Sequence, residues 1–171
     1  MMKKLTILFL LASVVMMAAC SDDDSFSTST GNLLSFSTDT LRLDTTFSNV
    51  PTPTKTFWVY NNSGDGLRLA NVRLAQGNQT GFRVNVDGIS LDASNGYQAN
   101  NLEVHNKDSI RVFVEMTSPI NSATTPQQIT DNLIFTLESG VQQKVNLNVY
   151  SWDAELLKGL NVTTNMTLTG S

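Results

Sequence analysis

The chain has 171 residues, with eleven Lys and Arg against fifteen Asp and Glu, a net charge of -4 and a single cysteine. That acidic balance offers no basic face for nucleic acid or for anionic lipid headgroups. One cysteine excludes an internal disulfide, so a folded domain has to be held by its core alone.

At the N-terminus Lys3 and Lys4 form a charged region, Leu5 to Val15 an apolar run, and Met17-Ala18-Ala19 a small-residue approach to Cys20. The run is well short of the ~20 apolar residues that a transmembrane helix needs, so residues 1–19 read as a signal peptide. Met17-Ala18-Ala19-Cys20 resembles the lipobox of bacterial lipoproteins, with Met where Leu is commonest. The resemblance implies cleavage before Cys20 and lipid on its sulfur, making a membrane the partner of that residue. An ordinary secretory signal followed by a stray thiol is the competing reading. Loss of Lys3 and Lys4 with the leader makes the remainder more acidic still, which favours solubility.

Ser21-Asp22-Asp23-Asp24 comes next, and then a low-complexity run from Ser25 to Asn32. Residues 20–32 therefore read as a flexible tether with too little apolar surface to offset the entropy of ordering. Three consecutive carboxylates on extended chain do not converge on one point, so they indicate no metal. Cys20-Ser21-Asp22-Asp23-Asp24 resembles the lipoprotein export signal of Bacteroidetes, which implies an anchor in the outer membrane facing the cell exterior. A solvated spacer on a periplasm-facing lipoprotein is the alternative.

From residue 33 to 152 the pattern has period two, with turn residues between short runs and no sustained 3.6 period. Leu41 and Leu43 alternate with Arg42 and Asp44, Phe57 and Val59 with Trp58 and Tyr60, and Ile110, Val112, Val114 and Met116 with Arg111, Phe113 and Glu115. Each run is expected to be a strand with one core face. Asn61 to Gly66 predicts a hairpin turn, since Asn and Gly accept positive φ. A second hairpin is predicted where Glu138-Ser139-Gly140 joins Leu133, Phe135 and Leu137 to Val145, Leu147 and Val149. Between Leu69 and Val72 the apolar phase flips, which predicts a bulge or kink at Ala70-Asn71, as where a strand passes between sheets. The fold class is all-β: a two-sheet, immunoglobulin-like sandwich of seven to nine antiparallel strands. Its core of roughly twenty apolar side chains, at about 1.5 to 3 kcal/mol each, suffices without a disulfide.

Leu41-Arg42-Leu43-Asp44, the polar gap through Pro53, Lys55-Thr56-Phe57-Trp58-Val59-Tyr60-Asn61-Asn62, Leu67-Arg68-Leu69 and Phe82-Arg83-Val84-Asn85-Val86 resemble the immunoglobulin-like domains of the ASPM-SPD2-Hydin type. Pro51-Thr52-Pro53 stands where that family usually has a glycine. In Bacteroidetes such domains follow a lipoprotein leader and often precede a right-handed parallel β-helix. The resemblance covers residues 33–152 and implies a fold and a scaffolding role, not a site. Residues 153–171 then read either as a frayed tail or as the shortened start of a further domain.

Chemistry is sparse. His105, the one histidine, sits in a predicted polar loop without a second histidine beside it, and no nucleophile elbow, phosphate loop or zinc spacing is found. No catalytic residue, metal ligand or cofactor is predicted. Asp87, Asp92 and Asn95 fall near one another in a glycine-containing stretch and could surround calcium, although Asx residues mark turns anyway. Trp58 and Tyr60 are predicted on one outer strand face and Phe113 on the same face of another strand, where rings can stack on sugars. Cover by protein is the plainer reading. Thr40, Thr45 and Ser109 lie in Asp-Thr or Asp-Ser tripeptides that resemble the O-glycosylation sequon of Bacteroidetes. The expected function is a non-enzymatic stalk or interaction module at the cell surface, involved in adhesion to a surface protein or glycan. A glycan-binding lipoprotein serving polysaccharide capture and a fimbrial subunit are the other two classes.

Overall fold

The computed structural model describes residues 25–153 and Asn165. The leader, Cys20, the acidic run Ser21 to Asp24 and nearly all of the expected tail lie outside the described residues. Among the described residues, eleven strands form an immunoglobulin-like β-sandwich. Sheet A contains β1 (Leu34–Phe36), β4 (Lys55–Asn61), β9 (Ser109–Met116), β6 (Phe82–Val86) and β7 (Ile89–Ser90), in that spatial order. Sheet B runs β2 (Thr40–Arg42), β11 (Gln142–Trp152), β10 (Gln127–Leu137), β5 (Leu67–Leu74) and β8 (Gln98–Val104), with β3 (Thr46–Phe47) also paired to β11.

The period-two pattern builds the core. Phe57, Val59, Ile110, Val112, Val114, Met116, Val84 and Val86 point inward from sheet A, and Leu67, Leu69, Val72, Leu133, Phe135, Val145 and Leu147 meet them from sheet B, all buried. Phe135 lies at the junction, its ring 5.1 Å from that of Phe36 and 6.5 Å from that of Phe57. Such a contiguous apolar layer is what a disulfide-free domain of this size requires.

Five features differ from the sequence reading. The strand count exceeds seven to nine because of the short strands β1, β2, β3 and β7, and β2 and β3 pair parallel, not antiparallel, with β11. This follows from the chain changing sheets between β1 and β2, after which it enters sheet B running alongside β11. The segment Asn61 to Gly66 is not a hairpin: β4 pairs with β1 and β9, whereas β5 pairs with β10 and β8, so the turn is an arch between sheets. Asn61 makes the arch possible. Fully buried, it donates through Nδ2 to the carbonyls of Asp65 and Val104, both at 2.8 Å, while its Oδ1 accepts from the Ser63 amide and hydroxyl.

The phase flip in β5 is a bulge, as expected, but the strand stays in one sheet. Leu137 pairs with Leu69 and Thr136 with Asn71, leaving Ala70 as the extra residue. Finally, residues 25–32 are not a free tether. Phe26 bridges to Gly66, with Ser27 donating to the Gly66 carbonyl and Gly66 to the Ser25 carbonyl, each at 2.9 Å. Its ring covers the Arg68 guanidinium at 4.5 Å and contacts the His105 ring at 5.6 Å. Gly66 permits the approach, since a Cβ there would stand 3.0 Å from the Phe26 ring. One aromatic residue thus docks a run whose composition alone reads as disordered. The predicted hairpin between β10 and β11 forms, with Leu133 opposite Val145 and Asp131 opposite Leu147.

Candidate functional site: the outer face of sheet A

On sheet A the residues that alternate with the core form a grid. Trp58 lies directly opposite Arg111, Thr56 opposite Phe113, and Tyr60 opposite Ser109; on the other side of β9, Asn85 is opposite Phe113 and Arg83 opposite Glu115. Trp58 is 39% and Phe113 36% exposed, while Tyr60 is half-buried. The three aromatic residues singled out by sequence are therefore brought to one face, Trp58 and Phe113 exposed and Tyr60 half-buried.

Arg111 joins them together. Its guanidinium carbon lies 4.9 Å from the Phe113 ring centroid and 5.3 Å from that of Trp58, and one Nη donates to the Thr56 hydroxyl at 3.3 Å. Cation–π attraction to two rings holds the charge in place, and among the described residues no carboxylate pairs with it. Two other arginines are held differently. Arg68 is bound by Glu103 and Glu138, and Arg83 by Glu115.

Beside Phe113 the face dips into an open concavity of about 340 Å³, bordered by Thr54, Arg83, Asn85, Ser90, Asp92 and Glu115. Its polar walls are tied together. Glu115 accepts from Thr54 on one oxygen and from Arg83 at 3.0 Å on the other; the Thr54 hydroxyl, then Arg83, hold its carboxyl below the ordinary range. Asn85 donates to the Ser90 hydroxyl at 3.2 Å. Asp92 caps the short 3₁₀ turn Ala93–Asn95, accepting from the Ser94 hydroxyl and amide, and those bonds, the hydroxyl first, hold its carboxyl low as well.

The other sequence candidates are scattered. Asp92 and Asn95 meet, but as partners in the capping box, while Asp87 lies in the separate β6–β7 turn. Among the described residues no group of three or more His, Cys, Asp or Glu side chains is placed to hold a metal. His105 stands in the β8–β9 loop against Phe26. Of the three glycosylation candidates, Thr45 is exposed between β2 and β3, Thr40 is half-buried in β2 with its hydroxyl near Asn146, and Ser109 is half-buried at the start of β9. Sequence reasoning missed Arg111 as a member of the face, although its outward phase between Ile110 and Val112 was the available signal. The concavity gave no signal, because its walls come from β6, β7, β9 and two loops.

No family model matches the sequence, and no curated protein does. Solved structures match it. A family 123 glycoside hydrolase from Clostridium perfringens aligns with a TM-score of 0.46 and 8% identity, over 68% of this chain and 23% of that one. A protein of unknown function from Porphyromonas gingivalis W83 aligns at 0.48 and 14% identity, over 70% of this chain and 48% of that one. The ASH/PapD-like domain of human CEP192 aligns at 0.44 and 10% identity, over 80% and 95%. The chain thus spans less than half the length of the first two. At these identities the likeness is one of sheet architecture.

Proposed function

We propose that this chain is a surface lipoprotein of Bacteroidetes type whose immunoglobulin-like domain is a non-enzymatic interaction module. Lipid on Cys20 anchors it, and Ser21, Asp22, Asp23 and Asp24 direct it to the outside of the outer membrane. Support for the anchor is the leader that ends at Met17-Ala18-Ala19-Cys20. The binding half of the proposal is carried by one observation, the Trp58, Tyr60, Arg111 and Phe113 cluster standing exposed or half-exposed on one sheet face. Trp, Tyr and Arg are the residue types that dominate the energetics of protein interfaces, and rings at such exposure mark contact surfaces. With a β-helical part beyond the domain, the same module acts as a spacer with a docking face.

Protease shaving of intact cells tests the placement. Replacing Asp22, Asp23 and Asp24 by alanine is expected to keep the lipid and lose surface exposure; retained exposure removes the export role and leaves the anchor alone. A second reading, binding of glycan by the same face, is favoured by the concavity beside Phe113, whose size lies at the low end of small-ligand sites.

A further inference from the structure

Two facts about the face of sheet A point to one kind of ligand. The first is that Arg111 is positioned but not neutralised. Among the described residues its one hydrogen bond to a side chain goes to Thr56, the rings of Trp58 and Phe113 lie 5.3 and 4.9 Å from its guanidinium carbon, and no salt bridge includes it. Asp87, at the end of β6, meets Arg111 through the backbone, its amide donating to the Arg111 carbonyl at 3.0 Å. A guanidinium has five N–H donors in a planar fork that fits a carboxylate bidentately, so Arg111 retains that capacity. Arg83, by contrast, has Glu115 and the Thr117 hydroxyl.

The second fact is the concavity one step along the same strand. Arg111, Phe113 and Glu115 are alternate residues of β9, so they stand about 6.5 to 7 Å apart on the outer face. The ring of Phe113 therefore borders both the guanidinium and the dip walled by Asn85, Ser90, Asp92 and Glu115. A ring beside several fixed donors and acceptors suits a polyhydroxylated ring: the apolar side of the sugar lies on Phe113 and its hydroxyls meet the amide, hydroxyl and carboxylates. Those polar groups are already held by bonds to one another, which lowers the cost of ordering them on binding. A protein partner would call for a broad complementary surface of roughly 800 Å² per side, whereas the dip is sized for a small group.

We propose that this face binds an acidic oligosaccharide, one sugar ring seated against Phe113 in the concavity and the carboxylate of an adjoining uronic-acid unit on Arg111. This rests on the glycan reading above and names its ligand class. At the site Arg83 is paired with Glu115 and Asp92 is bonded to Ser94, while no salt bridge of the described residues includes Arg111.

The experiment is a direct binding titration of the full chain in detergent against oligomers of galacturonate, glucuronate and mannuronate. The methyl esters of the same oligomers and poly-glutamate serve as comparison probes. At least one uronate series is expected to bind, with its methyl ester about tenfold or more weaker, and Arg111→Gln and Phe113→Ala each expected to lower affinity about tenfold or more. Asn146→Ala, on the opposite face, is expected to bind as the parent does, and thermal melts of all variants confirm folding. Equal binding of esters and acids, unchanged in Arg111→Gln, overturns the acidic ligand while leaving the glycan reading standing. Poly-glutamate binding as well as uronate overturns the sugar subsite in favour of an anionic peptide. Failure of every sugar overturns both this proposal and the glycan reading.

Discussion

The two outer faces of the sandwich are built on the same pleated backbone over the same core, yet their chemistry differs. Sheet A presents Trp58, Tyr60, Phe113 and Arg111 in its middle. Sheet B presents Asn132 opposite Asn146, Thr130 opposite Asn148 and Thr136 opposite Asn71, with Ile134 half-buried among them, and at one end it carries exposed Tyr150 and exposed Phe47, the latter against Trp152. Solvation of a sheet requires only that outward residues tolerate water, and the amides and hydroxyls of sheet B satisfy that. What sets sheet A apart is that its rings stand on interior strands around an arginine, whereas those of sheet B lie at one end. The difference separates residues kept for architecture from residues available for contact.

Removing what the faces share should have the largest effect. Phe135→Ala empties the centre between the sheets and is expected to cost about 3–5 kcal/mol, read as a lower urea midpoint. Asn61→Ala acts at the joint between sheets. It deprives the Asp65 and Val104 carbonyls and the Ser63 amide of their buried partner, for an expected loss of about 1–3 kcal/mol. If Asn61→Ala melts like the parent, the arch does not depend on that side chain.

Acid should weaken sheet A through Glu115. Its folded pKa is depressed by the Thr54 hydroxyl and then Arg83, so the stabilisation is present above the unfolded value of about 4.3 and is lost as pH falls through the folded one. Glu115→Gln is expected to flatten that part of the stability-versus-pH curve slightly, since the pair is exposed. A profile identical to the parent's would show that the carboxylate is not held. Smallest of all, Trp58→Ala and Asn146→Ala should each change stability by no more than about 0.5 kcal/mol, because neither residue supports the core. A loss above about 2 kcal/mol in Trp58→Ala would make that ring a structural cover and end the distinction between the faces.

The legible part of the fold was the part written in local alternation. Runs such as Ile110, Val112, Val114 and Met116 declare which side is buried, and the β10–β11 hairpin follows because its turn joins strands that are also neighbours in space. The arch at Asn61 to Gly66 was misread because turn chemistry fixes a local reversal, not which sheet the next strand joins. Partner choice is decided by β1, β9, β8 and β10, distant in sequence. The parallel pairing of β2 and β3 and the docking of Phe26 depend likewise on contacts far along the chain. At the candidate site, Trp58, Tyr60 and Phe113 were readable from phase alone. Arg111 carried the same phase, but its role emerges only when register places it between two rings.

The central claim, that the face built around Trp58, Arg111 and Phe113 and not the opposite one is the contact surface, can be tested on the full chain in living cells. A photo-crosslinking amino acid placed at Tyr60 should give adducts of higher mass on irradiation, and the same amino acid at Asn146 should give none. Adducts from Asn146 with none from Tyr60 would contradict the account.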